Sequence, residues 1–497
     1  MTSTDATVLL VFVPLLAACL AVLAPPRARS PIAAATLLAL PLLLWVVTSA
    51  VLADGVLHVA LAGHAAPLGI QLRADGLALL MLWLVALAGG AAGLYALASH
   101  PPASAHGGRF WPLWLLMLAG LNGLFLSADL FNVYVAIELV TLSAIALIAA
   151  DGQAGALRAA MRYLLLAMLA SLAYLLGVAL LYAEHGSLDL YALARSVAEP
   201  QASHATLTAL SLISIALLLK AAVFPLHVWL PAAHAQAPGA VSAVLSALVV
   251  KTAVVLLYRL WFWTAAGLDR DAVWLLFGLL GAAAVLFGSL AALVQAQIKR
   301  VVAYSTVAQL GYLMLVFPLI GHTGGAPSAW YGAGCQLASH GLAKAAMFLA
   351  AAGLVHGLGS GRIDRLAGAG KAFPVCLFAF GLAGVSLMGL PPSGGFLAKW
   401  LLLEAAWAQR GWGWIAVLLV GSLLAAGYVF RVLAAAFVAS PAGGAAVRPV
   451  SSAMSLPALA LALLSLVMGF VAAPLFQLLA VAAPDIAGVA PAHGGSR

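Results

Sequence analysis

The chain has 497 residues, 65% of them hydrophobic and only 7% charged; an ordinary soluble domain carries about 25% charged residues, so a water-soluble fold of this size is excluded. The formal net charge of +8 does not point to nucleic acid, because the basic residues sit singly in short loops and form no patch. Apolar runs of about twenty residues recur from Val8 to Val481 without the period-2 alternation of an outer-membrane barrel, which predicts an all-α integral membrane protein.

The first apolar run contains Leu16-Ala-Ala-Cys19, which looks like a lipoprotein cleavage box. Asp5 precedes it and no Lys or Arg does, so Thr7–Leu23 is read as an uncleaved first span. Apolar runs and their breakers predict about fourteen spans, near residues 7–24, 31–53, 76–98, 111–127, 129–150, 160–183, 207–230, 239–262, 272–295, 301–320, 329–355, 373–403, 412–438 and 454–481. They form one membrane domain over 1–497, with peripheral helices over 1–98, two repeats over 111–262 and 272–438, and a last helix over 454–481.

Arg27, Arg29, Arg109, Arg158, Arg162, Lys299, Arg300, Arg362, Arg365, Lys371 and Arg448 fall in alternate loops. The opposite loops hold only scattered basic residues such as Arg73, Arg195, Arg270 and Arg410. By the positive-inside rule both termini face away from the cytoplasm, in a bacterial-type inner membrane. Cys19, Cys335 and Cys376 lie in apolar segments with no C-x-x-C pair, so neither a cofactor, a metal nor a disulfide is expected in this chain.

Two spans are broken in a corresponding manner. The seventh contains Phe224-Pro225 and Leu230-Pro231; the twelfth contains Leu390-Pro391-Pro392 and then Gly394-Gly395. They stand five spans apart, which suggests two five-helix repeats of inverted topology, spans 4–8 and 9–13. An ordinary proline kink is the plainer reading of either break alone, but interrupted helices at matching positions point to a transport site.

Of six lysines, four lie inside apolar spans: Lys220, Lys251, Lys344 and Lys399. A charge at mid-membrane costs about 2.5–3.5 kcal/mol on insertion scales, so such residues normally face the bundle interior and mark an ion path. Lysine suits proton loading because burial shifts its pKa readily, whereas arginine stays charged. A lysine near a span end can instead snorkel to the headgroups. Glu138 is the one carboxylate recognised well inside a span. Paired with Lys220 it would be a switch as well as a brace, because the charge state of each depends on the other.

Lys220, His227 and His234 recur every seven residues and so lie near one face where the helix persists, with His234 expected in the loop. Pro225 cannot donate to the carbonyl of Ala221, which predicts a local opening beside Lys220. Both histidines can relay protons near neutral pH. His340 and Lys344 form an i, i+4 pair, a second titratable face with no further ligand to suggest a metal.

These residues carry a resemblance. The run from Leu218 to Pro238, containing Lys220, Pro225, His227, Pro231 and His234 and followed by Val241 and Lys251, is similar to the signature of the antiporter-like subunits. Respiratory complex I, membrane-bound hydrogenases and multisubunit sodium/proton antiporters share those subunits. Ile298-Lys-Arg through Gln309 and Tyr312, His340-Gly-Leu-Ala-Lys344, and Gly389-Leu-Pro-Pro-Ser-Gly-Gly through Lys399 also match.

The resemblance implies two inverted half-channels: a Glu138–Lys220 pair in the first, Lys251 connecting, and Lys399 as terminal residue of the second. It implies that redox centres and quinone belong to other subunits, that the partners are other membrane subunits of a multisubunit complex, and that the ion is the proton, with sodium left open. The stretches around Asp75 and Asp129 are similar to the D-type member of the sodium/proton antiporters, whereas His227 and His234 look like the complex I and hydrogenase members. A stand-alone solute transporter would show one polar midplane pocket. Here titratable residues spread over spans 5, 7, 8, 11 and 12, which favours a proton wire. A subunit that binds quinone itself is the other alternative, and no cofactor ligands are visible for it.

Overall fold

Where each apolar run becomes a helix is decided by its first turn. The computed structural model describes residues 1–64, 69–99, 105–197, 203–266, 268, 270–321, 327–439, 448–481 and 483. Helix α1 (Ser3–Leu23) opens on a reciprocal cap, with Asp5 N donating to Thr2 Oγ1 at 3.1 Å and Thr2 N donating to Asp5 Oδ2 at 3.0 Å. That cap starts the helix ahead of the expected Thr7, in polar sequence that an apolar run does not reach. Helix α2 (Pro26–Asp54) likewise begins before residue 31, on a proline at its first position, where the missing N–H costs nothing.

Between α2 and the third span lies an antiparallel hairpin, β1 (Leu57–Ala60) and β2 (Gln71–Ala74), pairing Leu57 with Ala74 and Ala60 with Gln71. It is a small addition to the expected all-α fold; strands of four residues are too short to register beside runs of twenty-odd apolar residues. Next come α3 (Gly76–Ser99), capped by Asp75 through Ala78 N at 2.9 Å, then α4 (Ala105–Leu126) and α5 (Leu130–Ala149). Helix α6 (Ala154–His185) ends on Gly186 at φ 64°, and a short α7 (Leu190–Val197) precedes α8 (His204–Lys220) and α9 (Leu230–Gln236). The chain continues through α10 (Gly239–Thr264), α11 (Asp271–Val294), α12 (Ile298–Ile320) and α13 (Pro327–Leu358). It closes with α14 (Pro374–Met388), α15 (Gly394–Ala408), α16 (Trp412–Phe437), α17 (Ser452–Val467) and α18 (Ala473–Val481).

Among the described residues, eleven helices are long and apolar enough to cross a membrane, and α8, α14 and α17 are shorter apolar helices. The difference from the expected fourteen lies in three runs that split into helix pairs, α8 with α9, α14 with α15, and α17 with α18. The first two breaks are those expected from sequence, and the peptide bonds Phe224–Pro225 and Pro391–Pro392 within them are cis. The third was not expected over 454–481. At Gly469 a Cβ would fall 1.7 Å from the carbonyl oxygen of Pro392, so the last run interrupts where it presses against the second break.

Burial sorts the helices into an inner and an outer set. Every residue in the most apolar window of α10 is buried, and α12 and α13 come close to that, whereas about a third is buried in α2 and α16. The outer faces carry exposed leucines such as Leu165, Leu169 and Leu172 on α6, as lipid contact requires. Helix α13 packs against α14, α15 and α17, and α11 lies along α12. The inner helices α10, α12 and α13 therefore form the wall that carries Lys251 and Lys344.

Candidate functional site

The first titratable group sits where α8 stops. Pro225 has no N–H to continue the helix, Ala222 turns to φ 54°, and Trp229 Nε1, beyond the break, donates to the Leu219 carbonyl at 3.0 Å. A non-glycine residue at positive φ costs about 1–3 kcal/mol, a local strain of the kind that collects at functional joints. Lys220, the last residue of α8, points its Nζ to Glu138 Oε1 of α5 at 3.1 Å. The Ser171 hydroxyl of α6 is within hydrogen-bond reach of the same carboxylate oxygen and of the Ala167 carbonyl, and its one proton can be given to either. Lys220 is buried and Glu138 partly so. The pair named from the sequence is thus in direct contact, braced by a hydroxyl that sequence reasoning missed.

Lys251 lies on α10 just after a π turn, Leu245–Val249. Such a turn leaves carbonyls of the helix without their usual donors. The Nζ of Lys251 reaches back onto that turn, donating to Ala247 O at 2.8 Å and Ser246 O at 3.2 Å, with no exposure of the side chain. Ser246 is shared: its hydroxyl pairs with Thr306 Oγ1 of α12 at 2.8 Å, and Thr306 donates to the Val302 carbonyl at 3.0 Å. Lys344 Nζ, from α13, donates to that same carbonyl at 2.7 Å and to Ser305 Oγ. Lys251 and Lys344 are therefore linked through Ser246 of α10 and the Val302–Thr306 turn of α12, a ladder in which each lysine meets a backbone carbonyl and the two hydroxyls meet each other. Lys344 turns inward rather than toward a span end.

Lys399 stands across the second break. It belongs to α15, and its Nζ donates back to the carbonyls of Leu387 at 2.8 Å and Met388 at 3.2 Å, the open end of α14, and to Ser422 Oγ of α16 at 3.0 Å. The ammonium also lies 4.7 Å from the Tyr312 ring centroid. Gln309 Nε2 donates to the same Leu387 carbonyl at 3.2 Å and its Oε1 accepts from Gln336 at 2.9 Å, which ties α12 and α13 to the break.

The histidines differ in placement from the heptad expectation. Lys220 ends α8, His227 falls in the turn after it, and His234 lies in α9, so the break separates the three rather than aligning them. His227 rests against Phe224 and against Phe287 of α11, with ring centroids 5.5 and 5.0 Å away. His234, expected in the loop, is helical and fully buried, stacked on Phe348 of α13 at 4.4 Å; Pro231 at the start of α9 and the packing of α13 restart the helix there. His340 is buried one turn from Lys344 and lies in the field of Lys251, Lys344 and Lys399 together.

One buried pair was missed altogether. Arg259, near the far end of α10, donates from both terminal nitrogens to the two carboxylate oxygens of Asp75, each at 2.9 Å. The arginine inside an apolar span was its available signal.

The chain is similar to proteins of one known family. The family described as NADH:quinone oxidoreductase/Mrp antiporter, transmembrane, matches residues 127–425. NADH-quinone oxidoreductase subunit N of Desulforudis audaxviator is 40% identical over 78% of this chain and 77% of that protein. The D-type member of the Na(+)/H(+) antiporter of Alkalihalophilus pseudofirmus is 28% identical over 85% of each chain. Among solved structures, a chain of the Mrp complex from Dietzia sp. superposes with a TM-score of 0.89 at 28% identity, covering 98% of both chains. A chain of Thermus thermophilus respiratory complex I gives a TM-score of 0.74 at 25% identity, covering 96% of this chain and 99% of that one. The break-borne lysines, the inner helix wall and these matches together establish that this chain is a multi-pass membrane protein of the NADH:quinone oxidoreductase/Mrp antiporter family.

Proposed function

We propose that this chain is the proton-translocating, antiporter-like membrane subunit of a multisubunit energy-converting complex of the NADH-quinone oxidoreductase or membrane hydrogenase type. The observation that carries the reading is the ladder between Lys251 and Lys344, with the Glu138–Lys220 pair on one side and Lys399 on the other. Buried ammonium groups are costly and are normally found where ions pass. Here Lys220, Lys344 and Lys399 are each met by a carboxylate, carbonyls or hydroxyls of other helices, and Lys251 by two carbonyls of its own, so the titratable groups are distributed over elements from α5 to α16. The Ser246 and Thr306 hydroxyls can both donate and accept, and so can pass a proton on; the carbonyls only hold the ammonium ends in place. His340, one turn from Lys344, adds a further titratable group beside the lysines, and His227 and His234 lie beyond the first break.

The two breaks lie at matching places in the helix order, which supports two repeats over 111–262 and 272–438 as half-channels, flanked by 1–98 and 454–481. Each of the three split runs then counts as one crossing, which restores fourteen. Basic residues gathered at alternate helix ends and loops, as at Arg27 and Arg29, Arg158 and Arg162, and Lys299 and Arg300, support termini on the non-cytoplasmic side of an inner membrane. A second reading, a D-like member of a multisubunit sodium/proton antiporter, is favoured by the match over 98% of the Mrp chain.

One experiment separates the two. The tagged chain is purified with its native partners in mild detergent, its companions are identified, and the complex is returned to vesicles to measure proton uptake. Co-purifying redox subunits and uptake driven by electron transfer support the first reading. A redox-free set that exchanges protons for sodium supports the second, and a chain that moves a solute by itself contradicts both.

A further inference from the structure

Helix α10 holds a second π turn, Leu260–Thr264, and the α-helical segment between the two turns, Val250–Arg259, carries Lys251 at one end and Arg259 at the other. A π turn accommodates one residue more than an α turn. A segment bounded by two such turns can exchange register at both ends while the helix termini stay put, and one residue of exchange corresponds to about 100° of rotation and about 1.5 Å of rise. Something outside the helix has to set that register. Lys251 bonds only to carbonyls of α10 itself, and Thr252 to Val249. The outward anchors are at the other end: Tyr258 donates to Leu313 O at 2.6 Å, and Arg259 makes its two-pronged bond to Asp75. Of these the fork is ionic, buried and fixed in direction, and so the stiffer.

Its base is immobilised in turn. Asp75 caps α3 through Ala78 N and accepts from Arg73 Nε at 3.2 Å; the Arg73 guanidinium stacks on the Tyr191 ring at 3.9 Å, and Tyr191 OH accepts from Arg259 at 3.1 Å. Strand β2 is held by Ala128 N donating to Gln71 O at 3.0 Å, and residue 128 is held by Leu190 N donating to its carbonyl at 2.9 Å. The hairpin, the start of α5 and α7 thus form one platform under the arginine.

We propose that the Asp75–Arg259 ion pair is a positioning device that fixes the register of Val250–Arg259 and thereby the place of the Lys251 ammonium on the axis. This rests on the role given to Lys251 above, and it can be tested apart from it. Asp75→Asn keeps a good capping residue but removes the charge; Arg259→Gln removes the charge from the other side, and Arg259→Lys keeps charge without the fork. The measurement is amide hydrogen exchange, read by mass spectrometry on the assembled native complex and on each variant, together with proton uptake per assembled complex.

In Asp75→Asn and Arg259→Gln, exchange over 245–264 rises by about tenfold or more while 271–320 stays native, because a local opening is released rather than the whole bundle. Uptake per complex falls with it, and Arg259→Lys recovers part of both. Native-like exchange over 245–264 in the assembled variants overturns the proposal, as does a rise spread equally over α10, α11 and α12, which marks a general brace. Should the two neutralising variants fail to assemble, Arg259→Lys decides on the same outcomes. Because exchange is read without transport, a native complex that moves no protons would sink the transport reading and leave the register result standing.

Discussion

Lys399 and Leu387 face each other across the second helix break, with the lysine Nζ donating to the leucine carbonyl at 2.8 Å. The side chain therefore does two things at once: it satisfies an open helix end and it holds a charge in the bundle interior. Trp229 plays only the first part at the other break, donating to Leu219 O. That difference is what makes Lys399, and not the break as such, the candidate terminal residue.

Replacing Lys399 by arginine, glutamate and alanine separates these roles. If it releases a proton, arginine fails, since its pKa stays above about 12, glutamate keeps part of the activity, and alanine keeps none. Proton uptake by vesicles holding the assembled complex is the readout. Equal rates for lysine and arginine would remove Lys399 from the path.

The ladder along α12 predicts coupling between two hydroxyls. Ser246→Ala and Thr306→Val each slow uptake several-fold, and the double variant is about as slow as the slower single one, because residues in one network are not additive. Two independent multiplicative losses would show that the 2.8 Å contact between them is only packing.

Much of this site was legible from residues alone. Four lysines in apolar spans, Glu138 in the fifth and prolines in the seventh and twelfth marked the axis because each violates the composition that lipid demands. What stayed hidden depends on contacts between distant segments. The Ser246–Thr306 pair, the Gln309 link to Leu387 and the Gly469 contact with Pro392 join residues far apart in the chain. The π turns of α10 leave no trace in an apolar run, and Asp75 shows only as part of a family-like stretch until the fold brings Arg259 to it. The heptad spacing of Lys220, His227 and His234 holds for one face only where the helix persists, and Pro225 interrupts it between the first two.

Close approach at the second break supplies a stability prediction. A Cβ on Gly395 would lie 1.9 Å from the Ser386 carbonyl oxygen, so Gly395→Ala forces α15 away from α14, at about 1–3 kcal/mol as for other overpacked sites. The expected outcome is a lower melting temperature of the complex together with loss of uptake, since Lys399 follows on the same helix. An unchanged melting temperature would mean the joint is looser than its geometry.

The Asp75 carboxyl gives the pH prediction. Burial opposes its ionisation, but the Arg259 guanidinium, then Arg73 and the Ala78 amide, outweigh burial and hold it at about 2. A carboxyl depressed in the folded state contributes stability at pH above its ordinary value of about 3.9, and that contribution is lost as pH falls through its folded value. Protection of 245–264 against exchange, corrected for intrinsic rates, is therefore flat between about pH 5 and pH 8 and declines only in stronger acid. A drop in protection near neutral pH would show that another group sets it.

The central claim is that protons move over buried titratable side chains that begin at the Glu138–Lys220 pair. Removing either partner leaves the other charge uncompensated, at about 3–5 kcal/mol for a buried pair, a loss a fold of this size can bear. The direct measurement is proton uptake by vesicles containing equal amounts of assembled native, Lys220→Ala and Glu138→Ala complexes. The account predicts full assembly and no uptake in either variant; full uptake by an assembled Glu138→Ala complex would contradict it.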